Sequence, residues 1–128
     1  MAVSNDFVEF IAEQLAPLGI VSSRRMFSGR GLYIDGDIIG FLFEDSLYFK
    51  VDDITRPIYE AEGSEPFTYA TKDGPRVITG NWRAPERLFD DPDAMREFAS
   101  AAHAVSRRRA AAKIKPRSKT AVAPKPTR

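Results

Sequence analysis

The residues able to do chemistry are few: one histidine, three close carboxylate pairs, and an arginine-rich stretch containing glycines. His103 is the sole imidazole and there is no cysteine. A Ser–His–Asp triad would have to use His103, yet no serine sits in the glycine-flanked elbow of the hydrolase version. A zinc site needs further imidazole or thiolate ligands, and the chain has none to give. The carboxylate pairs are Asp52-Asp53, Asp90-Asp91, and Asp35 with Asp37. Each has a simpler task at a helix start or a hairpin turn, and none has calcium-loop spacing. The sequence therefore predicts a non-enzymatic protein with no cofactor and no metal.

The stretch "RRMFSGRGLYIDGD", Arg24 to Asp37, is the best candidate for binding an anion or an acidic partner. Arg24, Arg25 and Arg30 would supply charge, and backbone N–H groups around Ser28, Gly29, Arg30 and Gly31 would supply a nest. Against this, well-known phosphate cradles place a glycine loop before a helix, whose N-terminus adds the field. Here a strand follows. The favoured reading is structural: Met26 and Phe27 fill the core, the glycines turn the chain, and the arginines meet solvent or the acidic body.

Charge is divided along the chain. Residues 107–128 hold nine basic and no acidic residues, leaving 10 basic against 18 acidic in the first 106, a balance of −8. Arg107, Arg108, Arg109, Lys113, Lys115, Arg117, Lys119 and Lys125 form a basic C-terminal segment that would coat nucleic acid non-specifically, or fold back on the acidic body. Pro116, Pro124 and Pro126 and the lack of aromatics there predict a disordered tail over 107–128, after a domain over 1–106.

The elements that would position these residues are legible from periodicity. Phe7, Val8, Ile11 and Leu15 recur at helical spacing after Ser4, Asn5 or Asp6 as cap, and Pro17 and Gly19 stop the helix. Three short strands follow, near 31–35, 38–44 and 47–51, joined by Asp35-Gly36 and Glu44-Asp45-Ser46. In the second, apolar residues occupy both faces, as in a central strand covered on both sides or one with a face in a subunit interface. A short helix comes next, capped by Asp52 or Asp53, with Ile54, Ile58 and Ala61 turned inward. "FTYAT" and "RVITGNW" make a second hairpin around Lys72-Asp73-Gly74-Pro75. The last helix starts at Asp91-Pro92 and carries the stripe Ala94, Met95, Phe98, Ala102, Val105. The order is helix, three strands, helix, two strands, helix, a two-layer α+β fold with an antiparallel sheet.

The sheet poses a choice of partner. Tyr33, Tyr48, Tyr69 and Trp82, with Lys50 beside Tyr48, would suit RNA if they shared an open face. A body of −8 repels phosphates, so a protein partner or a second copy of the chain fits better.

Three stretches, "RRMFSGRGLYIDGDIIGFLFEDSLYFKVDD", "EAEGSEPFTY" and "APERLFDDPDAMREFASAA", resemble the N-terminal domain of the TfoX (Sxy) family of competence regulators. The resemblance runs from Phe7 to about Arg108. Its marks are Arg-Arg-Met-Phe before a glycine, Gly-Leu-Tyr entering a strand, Leu-Tyr-x-Lys-Val-Asp, and Gly-Ser-x-Pro-Phe. Ser28 stands where the family usually has a second glycine. The resemblance implies the same element order and a regulatory role through a protein partner. Longer members add a C-terminal domain, in whose place this chain has its basic segment. The lack of cysteine, of a basic-then-apolar leader and of an apolar run of roughly 18 residues predicts a cytoplasmic protein with no membrane contact.

Overall fold

The computed structural model describes residues 4–26 and 29–118, the last six for their backbone alone. Helix α1 spans Asn5–Leu15, and the Phe7 N–H donates to the Ser4 hydroxyl at 3.1 Å, which satisfies one orphan donor of the first turn. Ile11 and Leu15 are buried, while Phe7 and Phe10 pack against Phe89. A 3-10 turn, Ala16–Leu18, leads to Gly19, whose φ of 152° would strain any side chain.

Six strands follow in one antiparallel sheet: β1 Val21–Met26, β2 Gly29–Ile34, β3 Asp37–Phe43, β4 Ser46–Lys50, β5 Pro66–Thr71 and β6 Gly74–Arg83. Their order is β1-β2-β3-β4-β6-β5. Helix α2, Arg56–Ala61, connects β4 to β5. Helix α3, Pro92–Ser118, begins after a 3-10 turn at Glu86–Asp90, with Asp91 Oδ1 accepting from the Ala94 N–H at 3.1 Å. The class and the antiparallel sheet agree with the sequence reading, with one correction. A fourth strand, β1, precedes the three expected in the first group, so the order is helix, four strands, helix, two strands, helix.

The helices cover one face of the sheet. Leu32, Ile34, Ile39, Leu42, Leu47 and Phe49 from the strands meet Met95, Phe98, Ala99 and Ala102 of α3, with Ile11 and Leu15 of α1 closing the side. A bulge explains how β3 carries apolar residues on both faces. The register advances from Leu32↔Gly40 to Tyr33↔Ile38, so Ile39 is an extra residue and turns into the core at 0% exposure. Phe41 and Phe43 remain on the face without helices.

One expectation about the helices needs correction, and one expected boundary falls within a helix. The buried residues are Tyr59 in α2 and Thr55 just before it, whereas Ile54 and Ile58 are 67% and 46% exposed and Ala61 is exposed as well. The phase is one residue off because Asp52 takes the N–H groups of Ile54 and Thr55 in a turn, so helical winding starts only at Arg56. The expected domain boundary at residue 106 falls inside α3, which runs unbroken through Arg107–Arg109 and Ala110–Ala112, strong helix formers. The remainder of the expected tail, 119–128, lies outside the described residues.

Candidate functional site

The face of the sheet free of helices is the region where residues of binding character converge. Phe67 of β5 sits at its centre, with ring centroids at 4.9 Å from Phe41, 4.9 Å from Tyr48, 5.3 Å from Phe43 and 5.7 Å from Tyr69. Strands β3 and β5 are three positions apart, or about 14 Å in a flat sheet. Contact across that span requires the β5–β6 hairpin to curl over the face. The register shows where it bends: between Pro66 and Phe67 the partner on β6 jumps from Trp82 to Ile78, leaving Thr79, Gly80 and Asn81 as excess. Tyr69 at the outer side of this cluster is 39% exposed, and Val77, on the opposite face of the hairpin beside Thr68, is 51% exposed. Of the aromatics weighed from sequence, Tyr33, Tyr48 and Tyr69 lie on this face. Trp82 does not: it is buried beside Tyr59, its Nε1 donating to the Thr79 carbonyl at 3.0 Å.

Charge around the cluster is segregated. The only carboxylate on any of the six strands is Asp37, and it is turned toward α3. Five arginines of the helices and turns are paired, Arg56 with Asp53, Arg87 with Glu62, Arg96 with Asp93, Arg107 with Asp37 and Arg108 with Asp52, whereas Arg109 of α3 is in no ion pair among the described residues. Those of the strands (Arg24, Arg25, Arg30, Arg76 and Arg83) form no ion pair among the described residues. Arg24 lies over the Tyr33 ring at 5.1 Å, and Arg30 Nε donates to the Ser23 hydroxyl at 3.1 Å.

The glycine stretch takes a form different from a turn. Gly29, Arg30 and Gly31 are strand residues, and β2 is paired on one side to β1 and on the other to β3, so the ladders occupy the backbone there. The glycines serve packing. A Cβ at Gly29 would stand 2.1 Å from the Leu42 carbonyl oxygen, and one at Gly31 would meet Met26 and the Tyr33 ring. Phe27 and Ser28 lie outside the described residues. What remains of the candidate anion site is three side chains: Arg24 and Arg25, both exposed, and Arg30, half-buried.

The basic segment begins by docking on the domain. His103 Nε2 is 2.9 Å from Asp37 Oδ2, Arg107 Nε is 3.6 Å from the same oxygen, and Arg108 reaches Asp52 at 2.8 Å. The hydrogen bond from His103, with Arg107 nearby, holds the Asp37 carboxyl below its ordinary value. Burial works to raise Asp52, but bonds from Arg108 and from the Thr55 and Ile54 N–H groups outweigh it and leave that carboxyl lowered too. The Arg109 guanidinium lies near Gly80. Side chains of Lys113, Lys115 and Arg117, and all of Lys119 and Lys125, are outside the described residues. The His103–Asp37 contact went unseen in the sequence, where the two are 66 positions apart and nothing local links them.

Two surface depressions, about 210 Å³ by Phe7, Leu47 and Phe89 and about 410 Å³ by Glu62, Pro85 and Arg87, share Arg83 but are lined by none of the cluster's rings. No group of metal-ligating side chains converges among the described residues, and no described helix is long and apolar enough to cross a membrane. No curated protein matches the chain. The family model of the TfoX N-terminal domain matches residues 13–106, in which the whole sheet, α2 and the end of α1 lie. The chain belongs to the TfoX N-terminal domain family.

Proposed function

We propose that this protein is a non-catalytic regulatory module that engages a protein partner through the helix-free face of its sheet. The carrying observation is the Phe67-centred aromatic cluster on that face, bordered by strand arginines without carboxylate partners. Aromatic residues and arginine are the types enriched where proteins meet. The partner is a different protein with acidic groups at its contact surface. A second copy applied face to face would set unpaired arginines against unpaired arginines, with no carboxylate on that face of the strands to separate them.

Site-specific photo-crosslinking in the native cell tests this reading. A benzophenone side chain replaces Tyr69 on the cluster or, as control, Glu97 on the exposed side of α3. A discrete adduct with another protein from position 69 and none from 97 is expected. Equal labelling from both positions, or an adduct of twice the chain's own mass, would overturn it.

A further inference from the structure

The first edge of the sheet carries more charge than its position explains. β1 is an edge strand, paired to β2 over all six residues without a bulge, and its outer side has no neighbour in the sheet. Such an edge presents a row of backbone donors and acceptors to any extended chain. Arg25 stands directly opposite Arg30 in the register, on the helix-bearing face, and Arg24 projects on the other. Like charges directly opposite across a ladder are unfavourable. In a body with 18 carboxylates against 10 basic residues, none of these three arginines has acquired one.

We infer that β1 is the docking edge for an acidic, extended segment of the protein partner. The segment adds to the sheet as a seventh strand and sets its carboxylates against Arg24, Arg25 and Arg30. Main-chain pairing with β1 supplies affinity, and the alternating side chains supply selectivity. A carboxylate opposite Arg25 on the added strand would set an attractive pair beside the repulsive one. Edge arginines also discourage self-association, which bears on the same choice: the charge that repels a second β1 attracts an acidic strand. The inference rests on the protein-partner reading above and fixes the chemistry of the segment that docks.

The test uses the full chain and a fluorescent octapeptide of alternating glutamate and valine, followed by anisotropy. Its lysine–valine counterpart and a ten-residue oligothymidylate serve as competitors. Saturable binding of the glutamate peptide is expected, weakened at least about tenfold by Arg25→Glu, which removes one charge-assisted contact and sets like charges together. Melting behaviour should be unchanged or slightly raised, since Arg25 has no partner to lose and a glutamate there faces Arg30. N-methylation of alternate residues along one edge of the peptide should abolish binding, and along the other edge should leave it intact. Equal sensitivity at both edges, or none, would overturn strand addition. Tighter binding of oligothymidylate would overturn the choice of a protein segment. No saturable binding of the peptide overturns this inference alone, because adducts from position 69 would still uphold the broader reading. Peptide binding with no adduct at position 69 would do the reverse.

Discussion

At the residue scale, two glycines of similar appearance in the sequence have opposite roles. A Cβ on Gly40 would lie 2.0 Å from the Tyr48 carbonyl oxygen, backbone that cannot swing away. Gly40→Ala should therefore cost about 3 kcal/mol, at the upper end of overpacking, seen as a lower urea midpoint at unchanged slope. At Gly80 the nearest obstacle is the end of the Arg109 side chain at 3.5 Å, so Gly80→Ala should be close to neutral, within about 0.5 kcal/mol. No pattern in the sequence separates these cases; only the register does. By contrast the Asp35-Gly36 turn was legible, because its positive φ values of 52° and 85° are a demand that local chemistry announces. Asp37 gives a pH-dependent prediction. Its carboxyl is lowered below 3.8 by His103 and Arg107 in the fold, so its stabilising contribution is full above that value. It disappears as pH falls through the lowered folded-state value. The stability gap between the native protein and Asp37→Asn should thus be present at about pH 5 and close as pH falls below about 4. Chemical denaturation across pH 2–5 reads it. A gap that widens on acidification would reverse the sign and the assignment.

At the scale of elements, helices and strands with strong periodicity were readable and those made by tertiary context were not. The stripe of α3 holds, since Ala94, Met95, Phe98, Ala102 and Val105 are all buried. "VSSRRM" has neither alternation nor a turn residue, and it becomes β1 because β2 offers an unpaired edge, not because its own residues favour a strand. The inward face of α2 was misjudged because Ile54 and Ile58 match helical spacing equally well in either phase, and a side-chain cap from Asp52 chose between them. Truncation discriminates the two phases. Tyr59→Ala, emptying a site at 2% exposure beside Phe98 and Trp82, should cost about 3–5 kcal/mol. Ile54→Ala should cost under about 0.5 kcal/mol, because the side chain stands mostly in solvent. Thermal unfolding of the two variants measures the contrast.

For the whole molecule, net charge misleads. A body of −8 argued against phosphates on the sheet, yet the fold sends all its carboxylates but Asp37 to helices and turns and leaves the strands basic. It also directs the start of the C-terminal basic segment inward. Contact between that segment and duplex DNA would therefore compete with the protein's own carboxylates. Arg107 and Arg108 must leave Asp37 and Asp52 before either can neutralise a phosphate. The Asp37→Asn/Asp52→Asn variant releases both arginines without adding charge to the segment itself. If the segment contacts duplex, this variant should bind more tightly than the native chain at low salt, and its log–log salt slope should be steeper by about 2, roughly 0.9 for each freed cation. Gel shifts from 50 to 200 mM salt give both slopes. A chain ending at residue 106 locates the effect: affinity that survives the truncation belongs to the arginines of the sheet. Equal slopes for the native chain and the double variant would show that Asp37 and Asp52 do not restrain the basic segment.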